Sequence, residues 1–368
     1  MDFGVVLQGY AGCADDAVFA EQHGFSTAGF VETPLLAGDP FVWMALAAKA
    51  TKSIRLGTML SIPGMRSAPS AASGLAAVNS VAPGRVFFGI GSGYTSRQTQ
   101  GLKQPAAAWR MRDYANRVRD LLAGQEVVEN VGNTENPVRL KHQQALRMRP
   151  EQPIPIYIAA DGPKALEAAG QAADGVIMTL QTVSEGDKRA NFFADSLTQV
   201  RDVASRHGRD FDGGYVTYST QICILEPGES VFSPRALQQI GPFAMTPFHA
   251  YACKPEIGQF LPAAIRDRLA VYEEEVLSRI KCPRERLYQE VHAGHLSYLL
   301  DGEAAVLTEE IMRMVAVVGT AQEIATQLRE IELAGADNIT FNIPQSAMRQ
   351  QIVEIEEHIM PLMAHTSI

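Results

Sequence analysis

Short apolar runs alternate with longer stretches of helical period along nearly the whole chain. Phe3 to Leu7, Thr27 to Val31, Ile54 to Leu60, Val86 to Ile90, Ile154 to Ala160, Gly175 to Leu180, Tyr215 to Leu225 and Asn338 to Asn342 are the apolar runs. They read as strands buried on both faces, because little polar alternation interrupts them. Each is followed by a segment of helical length. Asp15 to His23 closes at Gly24, and Pro40 to Ala50 starts with Asp39 as N-cap and proline at the first helical position. Ala68 to Val81 ends at Pro83-Gly84, and Ala106 to Ala123 is amphipathic, carrying Trp109, Tyr114, Val118, Leu121 and Leu122 ahead of Gly124. The later helices are Asp161-Gly162-Pro163 to about Ala172, Ser184 to His207, Thr320 to Leu333 and Ser346 to Met363.

Eight strands alternating with helices, with no run of strands alone, predict a (β/α)8 TIM barrel over an open doubly wound sheet. A barrel of this kind takes roughly 250 residues, so insertions account for the remainder of the 368. Two stretches break the alternation. Residues 127–150 are polar and hold Gly132, Asn133, Asn136 and Pro137, which predicts a small hairpin excursion. Residues 226–319 form the largest insertion, after strand seven; it is predominantly helical and expected to cover part of the barrel mouth. The whole chain, 1–368, then reads as one barrel domain.

Composition narrows the function classes. A formal charge of −9 and no Lys/Arg cluster argue against a nucleic-acid surface. Cys13, Cys223, Cys253 and Cys282 lie far apart, which indicates neither a disulfide framework nor a cysteine zinc site. No window offers the roughly 18 uninterrupted apolar residues of a membrane span, and the N-terminus lacks a basic region followed by a long apolar one. A cytoplasmic enzyme without a membrane partner is the expectation.

Chemistry is expected where the strands end, since barrel sites lie at the carboxyl ends. Strand four ends in Gly89-Ile90-Gly91-Ser92-Gly93. This is half of a dinucleotide fingerprint, without a third glycine at the required spacing and without the lysine of a P-loop, so it reads as a tight turn exposing backbone N–H groups. Ala159-Ala160-Asp161-Gly162-Pro163 runs from a strand end into a helix N-terminus, a setting that binds phosphate. An ordinary aspartate cap is the alternative there, and the backbone at Ala160 and Gly162 is the expected contact because the Asp161 carboxylate repels phosphate. Glu32 ends strand two and is the candidate to orient a ring N–H or exchange a proton, with an ion-paired glutamate as the alternative. His292 and His295, three residues apart, share one helix face. No partner carboxylate stands at ligand spacing, so no metal site is expected.

Arg55-Leu56-Gly57, Arg66-Ser67 before Pro69, Gly84-Arg85, the FGIGSG turn, Asp39-Pro40-Phe41, PIPIYIAADGP, AADGVI, GHLSYL and VVGTAQEI occur in an order that resembles the luciferase-like superfamily of flavin- and deazaflavin-dependent oxidoreductases. The methylenetetrahydromethanopterin reductase branch is the most similar. The resemblance implies a flavin-type cofactor across the barrel mouth, with coenzyme F-420 as hydride carrier to or from a small organic substrate. FMN is the alternative, used as FMNH2 with molecular oxygen in a two-component monooxygenase supplied by a separate flavin reductase. A non-catalytic flavin-binding protein is a reading of another class; a barrel aldolase needs an inner-strand lysine that the strand runs lack. By resemblance, Thr58-Met59-Leu60 is a strand-three bulge against the isoalloxazine face, with a non-prolyl cis peptide around Met59-Leu60. Gly91, Ser92 and Gly93 become ribityl contacts, and Ala159, Ala160, Asp161, Gly162 and Pro163 phosphate contacts. Glu32 and His295 are the implied catalytic residues: Thr33 stands where several members carry histidine, and His295 is the candidate substitute. A homodimer is implied by family habit.

Overall fold

The computed structural model describes residues 1–102, 104–131, 134–141, 152–179 and 186–364. Eleven strands occur among them: β1 (Asp2–Leu7), β2 (Thr27–Phe30), β3 (Arg55–Ser61), β4 (Val86–Ile90), β5 (Glu126–Val131), β6 (Thr134–Arg139), β7 (Ile156–Ala159), β8 (Gly175–Met178), β9 (Tyr215–Ile224), β10 (Ala316–Gly319) and β11 (Asn338–Asn342). Eight of them, in the order β9, β11, β1, β2, β3, β4, β7, β8, pair in parallel, and β8 returns to β9. The ring of eight is closed, so none of these eight strands is an edge of the barrel. The TIM barrel expected from the alternation is therefore the fold.

Local chemistry places the helices as the sequence dictates. Asp39 caps the helix Pro40–Ala50 by accepting from Phe41 N at 2.9 Å. Thr320 and Glu323 form a reciprocal capping box on the helix Ala321–Leu333. These helices turn Met44, Ala47, Ile324 and Leu328 onto the outside of the barrel. Inside, Phe87 stacks on Tyr157 at 5.2 Å and Tyr157 on Tyr215 at 5.7 Å between ring centroids. The Arg55 guanidinium lies 4.0 Å from the Tyr215 centroid, so a cation on aromatic faces fills the lumen. Gly57 makes room for that filling, since a Cβ there would stand 2.4 Å from the Phe87 ring. The lumen at this level is filled by side chains.

The polar excursion is an antiparallel hairpin of β5 and β6; Gly132, Asn133 and residues 142–150 of it lie outside the described residues. The large insertion is a train of short helices from Pro234 to Val315 with an apolar cluster of its own, including Phe248, Tyr272, Ile311 and Met312. One feature differs from expectation. The insertion comes back as a strand, β10, which pairs with the outer half of β9 from Gln221 to Ile224. The ten residues of β9 thus serve two pairings, the inner half closing the barrel and the outer half anchoring the insertion. No helix among the described residues is long and apolar enough to cross a membrane.

Candidate active site at the barrel mouth

Strands β3, β4 and β7 are neighbours in the ring, so three of the expected cofactor segments lie side by side at the carboxyl rim. The register of β3 on β4 shifts between Thr58 and Ser61, and the Met59–Leu60 peptide is cis. The bulge expected at Thr58, Met59 and Leu60 is present. Thr58 Oγ1 donates to Gly89 O at 2.7 Å, which ties the bulge to β4.

The glycines around the bulge are explained by its side chains. A Cβ at Gly29 would stand 2.1 Å from Met59 Cγ, one at Gly91 2.5 Å from Leu60 Cδ1, and one at Gly93 2.3 Å from Ile62 Cγ2. Gly93 also adopts φ +68, the left-handed region that glycine enters without a steric penalty. The Gly91-Ser92-Gly93 turn is therefore shaped by the β3 loop it covers as well as by any ligand. Sequence spacing carries no trace of this, because the contacts cross between strands.

Glu32 is buried at the end of β2 and fully engaged. Its carboxylate accepts from Arg66 Nε at 2.8 Å, from Ile62 N at 3.2 Å and from the Ser61 hydroxyl. Arg66 reaches on to Asp39. The alternative of an ion-paired glutamate is the observed geometry, but the pair sits under the β3 loop instead of at the surface. Arg66, Ser61 and Asp39 were not singled out for the site from sequence, because the loop that brings them to Glu32 has no periodicity to read.

On β7 the Ala159–Pro163 segment behaves as a strand-to-helix turn. Ala160 is buried, Gly162 is exposed, and no side chain caps the helix Pro163–Ala172. A Cβ at Gly162 would meet nothing within 4 Å. Asp161 is turned away, its carboxylate accepting from Thr179 N at 2.7 Å and from the Thr179 hydroxyl. The carboxylate that would repel an anion is thus occupied on the β8 side.

The insertion is bound to the rim by Gln8, which follows β1. Gln8 Nε2 donates to Leu296 O at 2.8 Å and Ser297 Oγ to Gln8 Oε1 at 2.9 Å. His295, one residue before this contact, packs with the rings of His249 and His292. Burial holds the His295 imidazole well below its usual range, with His249 and His292 adding to the effect, so it is neutral. Between the loop after β4 and the insertion lies a cavity of about 490 Å³, lined by Gln98, Leu102, Cys253, Arg284 and Tyr288 among others. That volume suits a small organic molecule.

The sequence profile of the family described as luciferase-like monooxygenase matches residues 7–338. The chain belongs to that family. Among curated proteins it is 30% identical over 213 residues to an F420-dependent glucose-6-phosphate dehydrogenase of Nakamurella multipartita. The match covers 54% of this chain and 59% of that relative. Among solved structures it resembles the coenzyme F420 dependent tetrahydromethanopterin reductase from Methanopyrus kandleri, with a TM-score of 0.66, 17% identity and 99% of both chains covered. It also resembles the oxygenating constituent of 3,6-diketocamphane monooxygenase from Pseudomonas putida, solved with FMN, with a TM-score of 0.63, 13% identity and 99% of both chains covered. At those identities the structures speak for the fold alone. The family expected from the motifs and the barrel expected from the strand–helix alternation are both borne out.

Proposed function

We propose that this luciferase-like protein is an oxidoreductase that binds coenzyme F-420 across the barrel mouth and transfers hydride to or from a small organic substrate. The observation that carries the reading is the alignment, on three adjacent strands, of the β3 bulge, the Gly91–Gly93 turn and the open helix N-terminus at Gly162. The 30% identity to an F420-dependent dehydrogenase supports F-420 as the cofactor. When bound, the deazaflavin supplies a two-electron hydride donor or acceptor.

The chain's own residues supply the rest. Met59 and Leu60 present an apolar face and keep water from one side of the ring. The N–H groups at Gly162 and in the first turn of its helix meet a phosphate, with the dipole adding to the attraction. Glu32 acts as a positioning residue: through Arg66, Ser61 and Ile62 N it holds the loop that carries the bulge. The substrate occupies the cavity beside the insertion. His295 is not among the residues lining that cavity; it packs with His249 and His292 behind Cys253.

A test is anaerobic turnover with oxidised F-420 and a panel of alcohols and sugar phosphates, followed by loss of the deazaflavin absorbance. Bleaching without oxygen supports the reading; turnover only with FMNH2 and oxygen replaces it. That second reading, a monooxygenase fed by a flavin reductase, is favoured by the family's description as luciferase-like monooxygenase. A homodimer is proposed with it. Val42 and Leu46, one turn apart on the helix Pro40–Ala50, are 56% and 49% exposed, an apolar face suited to a second copy; a species near 40 kDa alone in light scattering argues against it.

A further inference from the structure

Three histidines from separate parts of the insertion meet in its interior. His249 lies on the helix Thr246–Cys253, while His292 and His295, expected on one helix face, are instead drawn together by the tight turns that follow the short helix Leu287–Glu290. Their ring centroids are 5.3 to 6.1 Å apart, and the rings meet edge to face or tilted. One ring nitrogen of each lies within 4.8 Å of one on each of the others.

The hydrogen bonds identify which nitrogen is free. His249 Nε2 is bonded to Glu303 Oε1 at 2.6 Å, and His292 Nε2 lies 3.6 Å from Cys253 Sγ. The Nδ1 atoms of all three are buried and have no partner. A buried polar atom without a partner costs about 1–3 kcal/mol, and such atoms are rare in folded proteins. Three unpartnered ring nitrogens therefore belong to one cluster of imidazoles whose nitrogens come within 4.8 Å of one another. All three are lone-pair donors if the opposite nitrogen carries the proton, and the Glu303 contact fixes that tautomer on His249.

We propose that His249, His292 and His295 bind one divalent transition-metal ion of the zinc class through their Nδ1 atoms. Glu303 stands behind His249 as the carboxylate of a carboxylate–histidine–metal triad, itself held by Leu300 N at 2.7 Å. Three neutral nitrogens select zinc or a neighbouring soft ion over calcium or magnesium, which need oxygen ligands. Nitrogens around a zinc at 2.0–2.1 Å stand about 3.3 Å apart, and small ring rotations close the observed gap. Three protein ligands leave a fourth position, as in catalytic zinc sites. Cys253, which touches His292, lines the 490 Å³ cavity and places the cluster behind its wall.

This inference is independent of the cofactor, and its test uses none. Tag-free protein is stripped with a chelator, dialysed against micromolar Zn²⁺ and assayed for bound metal by mass spectrometry; Co²⁺ loading reports coordination by its visible spectrum. One equivalent of zinc per chain and a tetrahedral cobalt spectrum are expected. Glu303→Gln should weaken zinc binding 10–100-fold, the range for a carboxylate behind a ligand, and His249→Ala with His295→Ala should abolish it. If the unaltered protein takes up less than stoichiometric zinc, or the doubly substituted protein takes up as much, the site is a water-filled histidine cluster and the proposal falls. The measurement on the unaltered protein decides even where a variant fails to fold.

Discussion

Met59 occupies the space that any side chain at Gly29 would need: a Cβ there would stand 2.1 Å from Met59 Cγ and 2.7 Å from its Cβ. Strand β2 thereby dictates where the bulge of β3 points. Gly29→Ala should push Met59 toward the mouth and cost about 1–3 kcal/mol, as overpacking of a core does. Thermal denaturation would register the loss, and cofactor titration should show weakened affinity in the folded fraction. A variant with unchanged stability would mean that Met59 is free to move.

The Glu32–Arg66 pair is predicted to be structural. Removing one partner of a buried pair strands the other, at about 3–5 kcal/mol. Glu32→Ala should therefore lower stability by an amount of that order, while Glu32→Gln, which keeps an acceptor for Ser61 and Ile62 N, should lose less. Denaturant unfolding compares them. If Glu32→Gln kept full stability but lost all turnover, Glu32 would be a proton-transfer group and not a positioning residue.

Gly162 is the most direct probe of phosphate binding. Its surroundings are open, so Gly162→Asp should fold normally. The added charge at an uncapped helix N-terminus competes with an anion and should weaken cofactor binding by tenfold or more. Equal affinity in the folded variant would remove the Ala159–Pro163 segment from the cofactor site.

The root of the insertion should be acid-labile. The hydrogen bond from Arg235, with those from Ser233 and Glu226 N, outweighs the opposing effect of burial and holds the Glu229 carboxyl down at about 2. A carboxylate with a depressed native pKa contributes stability that is present above its unfolded value of 4.5 and is lost as pH falls toward 2. Glu229→Gln should flatten the acid-unfolding curve across that window. An unaltered curve would show that this fork contributes nothing to holding the insertion on β9.

The barrel was legible because buried strands and amphipathic helices leave period and length in the sequence. The Asp39 cap and the β5–β6 hairpin carried their own local markers as well. Contacts between distant segments left none. Gly29 and Gly91 face Met59 and Leu60 only after the strands pair. The pairing of β10 with β9 joins residues almost a hundred positions apart. His249 lies 43 positions before His292, far outside any metal-ligand spacing, so only the folded insertion brings the three imidazoles together. The motif resemblance supplied what periodicity lacked at the mouth: the place of the bulge and of the cis Met59–Leu60 peptide.

The central claim is that the rim formed by β3, β4 and β7 holds a deazaflavin. Purified protein should be titrated anaerobically with F-420 and with FMN, each oxidised and reduced, and the four dissociation constants compared. The account expects F-420 to bind at least tenfold more tightly than FMN in the same redox state. Tighter binding of FMN, or saturable binding of neither, would contradict it.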